Sequence, residues 1–253
     1  MDTTHINLSS FKHPINALIF GASGGLGEAF FNILSQSTFV SNVVAVSRSK
    51  ARYSYNNSTW IQADFGNEKG IADTAKMVKE KYTYFDIIIV ATGILHDGVS
   101  LQPEKTWNSL NEYALQKLYN VNAVMPALIG KHFLPMLRRE TKSIFSFLSA
   151  RVGSIDDNRS GGWYSYRASK AALNMIIKTF SIELSRKNSN AICVGLHPGT
   201  VNTKLSKPFQ KYINRSNIFS PNDSALKLIK TLNMIDISDN GRIFAWDGTE
   251  INP

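Results

Sequence analysis

The sequence predicts an α/β fold: a doubly wound parallel sheet of about seven strands with helices on both faces. Three observations predict it. Short apolar runs rich in Val and Ile alternate with segments of helical period along the whole chain. A glycine-rich turn stands between the first such run and the first helix. The polar residues that interrupt the pattern fall at the carboxyl ends of the predicted strands, where open α/β sheets bind their ligands.

The first strand is Ile15-Asn16-Ala17-Leu18-Ile19-Phe20, followed at once by Gly21-Ala22-Ser23-Gly24-Gly25-Leu26-Gly27 and a helix from Glu28 to Ser35. Without side chains the backbone can approach a pyrophosphate, and the helix N-terminus adds N–H donors and the positive end of its dipole. The spacing is G-x-x-x-G-x-G at Gly21, Gly25 and Gly27, and it predicts a dinucleotide cradle. The second strand, Val43–Val46, ends in Ser47-Arg48-Ser49-Lys50. At this place, about 20 residues beyond the glycines, an acid suits the ribose 2′-OH of NAD and a basic group suits the 2′-phosphate of NADP. No acid is present; Ser47 can donate a hydrogen bond and Arg48 offers a fork for phosphate, so NADP(H) is favoured over NAD(H).

Trp60–Asp64 reads as a third strand ending in an acid, and Lys69–Tyr82 as an amphipathic helix. Asp86–Ala91 is a β-branched strand closed by Thr92-Gly93. Residues 103–137 read as mostly helical and carry Asn122. Ser143–Leu148 is the fifth strand and leads into Ser149-Ala150-Arg151-Val152-Gly153. A long helix follows over 163–187, then a strand over 190–196 that ends in His197-Pro198-Gly199-Thr200. The polar, irregular stretch 202–220, with Pro208 and Asn214, reads as a mobile loop. Ser220-Pro221-Asn222 caps a helix through Leu232, and Arg242–Trp246 is the last strand. No repeat or linker divides the chain, so one domain is expected over 1–253.

Within the long helix, Tyr166 and Lys170 lie one turn apart on one face. A phenol beside an ammonium is a device for proton transfer, because the positive charge favours the phenolate and lowers the pKa. The formal charge of +9 is scattered, with no run of five basic residues, which argues against nucleic acid and for solvated faces or a phosphorylated ligand. Cys193, the single cysteine, excludes an internal disulfide and suggests a reducing, cytoplasmic setting. Met1–His5 lacks the pattern of a signal peptide, and no apolar run approaches a membrane span.

Taken together, Gly21-x-x-x-Gly25-x-Gly27, Asp64, Asn122, Ser149, Tyr166-x-x-x-Lys170 and Pro198-Gly199 resemble the signature of the short-chain dehydrogenase/reductase family over nearly the whole chain. The stretches Ser149–Ile155, Gly161–Lys170 and Phe244–Gly248 resemble its C-factor subgroup, which is close to the sniffer-type carbonyl reductases. The resemblance implies a Rossmann-type fold, a small carbonyl or alcohol substrate, and a homodimer or homotetramer paired through helices 106–137 and 163–187. Tyr166 becomes the general acid or base, Lys170 its pKa modulator and a ribose ligand, and Asn122 the holder of a relay water. Cofactor contacts are implied for Ser23 and Leu26 in the turn, for Asp64 (to the adenine amino group) and Phe65, and for Ala91, Thr92 and Gly93. Further contacts are implied for Pro198, Gly199, Thr200, Val201 and Thr203. Because C-factor is named for intercellular signalling, a regulatory NAD(P)-binding role without turnover is the alternative.

Two departures stand out. Val90-Ala91-Thr92-Gly93 replaces the family's Asn-Asn-Ala-Gly, which predicts altered packing with Gly93 still permitting close approach. The family's catalytic serine stands three residues before a glycine, and here that position is Ala150. Ser149, one residue early, needs a bulge to reach the same face, and Ser154 is the other candidate hydroxyl. The substrate is expected among 94–102, 151–163 and 202–219, with Trp163, Tyr164 and Phe209 as an aromatic lining.

Overall fold

In the computed structural model, which describes residues 6–253, the apolar runs pair as their alternation predicts. The strands are β1 (Ile15–Phe20), β2 (Val40–Ser47), β3 (Ser58–Gln62), β4 (Ile87–Val90), β5 (Ser143–Leu148), β6 (Ala191–His197), β7 (Thr200–Val201), β8 (Ile218–Phe219), β9 (Ile243–Ala245) and β10 (Glu250–Ile251). The main sheet has eight strands in the order β10-β9-β6-β5-β4-β1-β2-β3. Every ladder in it is parallel except β9–β10. The eighth strand arises because the chain turns back after β9 at Gly248, whose φ is +84°, and pairs Ile251 with Ile243.

Both faces of the sheet are covered, by α1 (Gly25–Gln36), α2 (Glu68–Lys79), α3 (Glu112–Tyr119), α4 (Met125–Phe133), α5 (Tyr164–Lys187) and α6 (Pro221–Met234). Alternation along each strand sorts the core in two. Ile19, Val43, Ile89 and Leu196 pack with α1 and α6, whereas Leu18, Val44, Ile88 and Phe147 pack with α2, α4 and α5. Strand order reverses between β1 and β4, so a crevice opens there above the strand ends.

Two sequence expectations are corrected. Residues 103–111 are not helical apart from a single 3₁₀ turn (Trp107–Ser109); the helix begins only after Asn111, whose side chain accepts from the Ala114 N–H at 2.8 Å. It is then interrupted by a π-helical turn at Asn120–Val124 before α4. The stretch 202–220 is not an open loop. Two 3₁₀ turns fold it into a strap, and β8 returns to pair with β7. No helix among the described residues is long and apolar enough to cross a membrane. The signal-peptide expectation concerns Met1–His5, outside the described residues.

Candidate active site

The Gly-rich turn is shaped by backbone. Gly21 has φ +77°, and its N–H bonds Val46 at 3.0 Å. A Cβ on Gly27 would lie 2.2 Å from the Gly21 carbonyl oxygen, so only glycine lets α1 start this close to β1. The turn opens onto a cavity of about 550 Å³ that contains Ser23, Gly25 and Leu26. Across it stand Ala91, Thr92 and Gly93 from the end of β4. The stretch Pro198–Val201 and Thr203 close the third side. A Cβ on Gly25 would meet the Thr203 methyl at 2.7 Å, which marks how narrowly turn and strap face each other. The Thr92 hydroxyl is buried without a partner in this wall. A backbone cradle at a helix N-terminus and an unsatisfied hydroxyl across a cavity of this size fit a dinucleotide.

Other predicted contacts are placed differently. Gly21 and Gly27 shape the turn from beneath. Ser47 is fully buried: its hydroxyl donates to the Ser23 hydroxyl at 2.7 Å and accepts from the Ser49 N–H at 3.0 Å. It braces the turn, and Arg48 beside it is exposed. Asp64 is exposed, with its carboxylate accepting from the Gly66 N–H at 2.9 Å, and Phe65 packs edge-on against Phe20. Arg52 and Glu28, which the sequence reading missed, pair at 3.1 Å and both line the cavity. Their residues stand 24 apart, and only the fold brings them together.

Helix α5 is gripped at its N-terminus by Glu104. The buried Glu104 carboxylate accepts from the Ser165 N–H at 3.2 Å and from the Ser165 hydroxyl, while the Glu104 carbonyl accepts from the Trp163 N–H at 2.5 Å. An anion at the positive end of a 24-residue helix is favoured by the dipole. One turn on, Tyr166 and Lys170 are buried at 7% and 3% exposure. The Lys170 ammonium donates to the Leu148 carbonyl at 2.8 Å and lies 5.9 Å from the Tyr166 ring centroid. The sequence expectation has Lys170 drawing the phenol down, but here desolvation wins. Burial pushes the Tyr166 phenol up to about 12 and the Lys170 ammonium down to about 8. Tyr166 is therefore a protonated donor at neutral pH.

Asn122 sits fully buried in the π-helical turn. Its carbonyl oxygen accepts from the Ile94 N–H at 2.9 Å, and its amide donates to the Ile94 carbonyl and to the Ser169 hydroxyl. A Cβ on Gly93 would lie 3.4 Å from Asn122 Oδ1 and 3.6 Å from Lys170 Nζ, in ordinary van der Waals contact, so Gly93 lies beside both groups.

The serine question takes a definite geometry. The Ser149 hydroxyl donates to Asn174 Oδ1 at 2.5 Å, and both residues are buried. Asn174 lies one helical turn past Lys170, a spacing that could have drawn attention to it. Gly153 packs directly on both, since its Cβ would be 2.9 Å from Lys170 Cβ and 3.0 Å from Asn174 Nδ2. Ser149 and Ala150 both line the cavity. Ser154 lies away from it, accepting from the Asp157 N–H at 3.0 Å and donating to the Pro253 carbonyl.

At the far end the wall is apolar. Leu95, Val152, Trp163, Leu205, Phe209 and Ile213 line it. Trp163 packs on Tyr166 (6.2 Å between ring centroids) and on Phe209 (5.1 Å). His96 ties the strap down through its Nε2 and the Lys204 and Leu205 carbonyls. Tyr164 is not part of this lining. Among the described residues no group of His, Cys, Asp or Glu could hold a metal.

The geometry has counterparts among known proteins. The family described as short chain dehydrogenase matches residues 16–213. The C-signal protein of Myxococcus xanthus is 31% identical over 148 residues, covering 57% of this chain and 84% of that one. Two solved structures share the fold. The carbonyl reductase Sniffer of D. melanogaster superposes with a TM-score of 0.82 at 22% identity, over 95% of this chain and 100% of that one. An NADPH-bound carbonyl reductase from chicken fatty liver gives 0.80 at 23% identity, over 97% and 98%.

Proposed function

The chain belongs to the short-chain dehydrogenase family, and on that premise we propose that it is an NADP(H)-dependent reductase of small carbonyl compounds. The observation that carries this reading is the buried Tyr166 one helical turn from Lys170 in a cavity that the glycine cradle also lines. The cofactor, when bound, supplies the hydride. Ser23, Gly25, Leu26 and the β4 end would hold its pyrophosphate side, with Pro198–Thr203 facing them across the cavity. Exposed Arg48 is free to turn toward a 2′-phosphate, and the NADPH of the chicken structure supports the same preference.

The chain's own part is binding and proton delivery. The apolar wall of Leu95, Trp163 and Phe209 receives the body of the substrate and excludes water. The Tyr166 hydroxyl gives its proton to the carbonyl oxygen as negative charge develops there. The Lys170 ammonium, anchored to the Leu148 carbonyl, would stabilise the phenolate that remains, and Asn122, fixed by its two bonds to the Ile94 backbone, is the relay residue that the family resemblance implies. Ser149 is the strand-end hydroxyl of this reading, held by the hydrogen bond that it donates to Asn174.

Exposed Met175 and Ile182 on α5, with Tyr113 and Tyr119 on α3, support pairing of two copies across these helices, which light scattering tests. A single buried Cys193, its thiol pushed up by burial, is consistent with a reducing, cytoplasmic setting. The likeness to C-signal favours a second reading, a signalling protein that binds NAD(P) without turnover. The test is a fluorescence titration with NADPH and NADH followed by a panel of aldehydes and ketones. Tighter NADPH binding and NADPH oxidation by an apolar carbonyl support the reductase. NADH binding the tighter removes the NADP(H) preference, and cofactor binding without any turnover favours the signalling reading.

A further inference from the structure

His197 is the last residue of β6, directly before Pro198-Gly199, and the mechanism above gives it no work. The β5–β6 ladder pairs Leu148 with Leu196, and the Ser149 N–H donates to the Leu196 carbonyl at 2.9 Å. The two strand ends therefore run side by side, and His197 lines the same cavity as Ser149, Ala150 and Tyr166. This is the corner where a serine hydroxyl is missing at 150 and where the Ser149 hydroxyl is spent on Asn174.

Of the two ring nitrogens of His197, Nδ1 is sealed from solvent and has no hydrogen-bond partner. The neighbouring charges do not supply one: Arg151 pairs with Asp157 at 2.9 Å, and the Asp247 carboxylate accepts from the Thr249 hydroxyl at 2.7 Å. A sealed N–H without an acceptor costs more than a sealed bare lone pair. The proton of the neutral ring therefore sits on Nε2. Burial, reinforced by Arg151, holds the ring at about 4 against the weaker pull of Asp247, so it is neutral at physiological pH.

We propose that His197 contacts the substrate, its Nε2–H donating to the oxygen of the bound carbonyl compound beside Ala150 and so taking the place of the missing serine hydroxyl. The inference rests on the reductase reading given above. A neutral N–H suits this work because it strengthens its hydrogen bond as the oxygen gains charge and does not compete with Tyr166 as proton donor. It also gives the orphaned ring a purpose: in the complex one nitrogen is satisfied and the other is left as an acceptor, the less costly vacancy.

Two measurements test this independently. Long-range ¹⁵N–¹H spectra of labelled protein, with the His197 signals assigned by their loss in His197→Gln, report the tautomer directly. The Nε2–H form is expected from pH 8 down to about 5, and an alcohol product added with NADP⁺ should shift the Nε2 resonance. An Nδ1–H form, or an imidazolium at neutral pH, overturns the proposal whether or not a substrate is in hand. In steady-state assays, His197→Leu should lower kcat/KM for the best carbonyl roughly 10- to 100-fold with NADPH affinity unchanged. His197→Gln, which keeps an N–H donor near the Nε2 position, should recover most of the loss. Equal rates for wild type and His197→Leu overturn the proposal and leave the reductase reading standing. A wild type that binds NADPH and reduces no carbonyl overturns that reading instead, and the assignment to a carbonyl oxygen falls with it.

Discussion

The two ends of the cavity are built in opposite ways. The proposed cofactor end is mainly a backbone surface: Gly21 to Gly27 turn tightly between β1 and α1 against main-chain atoms of Gly21, Ala91 and Val46, with the Ser47 hydroxyl bracing Ser23 and the Thr203 methyl facing Gly25. The substrate end is a side-chain surface assembled from distant loops, where Trp163, Phe209 and His96 meet only because the strap of 202–219 folds back over α5. A backbone surface tolerates no added atom. A side-chain surface can be repacked, so on the proposed reading it would set which substrate enters without deciding whether the cradle forms.

Substituting glycines at the two ends breaks this contrast most sharply. Gly27→Ala would drive its methyl into the Gly21 carbonyl, and we expect a loss on the order of 3 kcal/mol in thermal unfolding together with loss of NADPH binding. Gly161→Ala, in the loop that leads into Trp163, is at a positive φ of +60°, unlike Gly27, but nothing lies within 4 Å of its added carbon. It should cost only about 1 kcal/mol and leave NADPH titrations unchanged. Comparable damage from both would mean that the two ends are equally rigid.

A smaller effect is expected from Phe209→Ala. Removing this ring opens the apolar wall and should lower kcat/KM for bulky ketones about tenfold or more, with NADPH affinity untouched. Weakened NADPH binding in that variant would show that strap and cradle are coupled more closely than their construction suggests.

The smallest effect is on stability against pH. Lys170 titrates at about 8 in the fold and near 10.4 in the unfolded chain. Between those values the unfolded state binds more protons, so this residue's contribution makes the protein more stable as pH rises from 8 to 10. Denaturant titrations of wild type and Lys170→Met at pH 8 and pH 10 should show stability gains that differ by on the order of 2 kcal/mol, the variant gaining less. Equal gains would mean that the ammonium is better solvated than its burial implies.

The same division explains how much was legible in the sequence. The glycine turn, the Ile87–Val90 strand and the Tyr166–Lys170 pair were readable because local spacing dictates them. The eighth strand was missed because Glu250–Ile251 is only two residues long and owes its place to a turn and a partner. Residues 103–111 carry helical period, yet Glu104 is drawn 61 residues along the chain to hold the start of α5. The strap reads as mobile from its polar composition with Pro208 and Asn214, and it is fixed by contacts that local sequence does not show, the pairing of Thr200–Val201 with Ile218–Phe219 and the bonds from His96. Ser149 could be named as a hydroxyl at the right strand end. That its proton goes to Asn174, 25 residues away, depends on how β5 and α5 pack.

The central claim is that Tyr166 delivers a proton to a carbonyl from within a cavity that binds NADP(H). Single-turnover NADPH oxidation by Tyr166→Phe, run beside an NADPH titration, tests it most directly. Unchanged NADPH affinity and a rate of carbonyl reduction lower by at least about 100-fold are expected, since the phenolic hydroxyl is the only group removed. A variant that reduces the same carbonyl within a few-fold of the wild-type rate would contradict it.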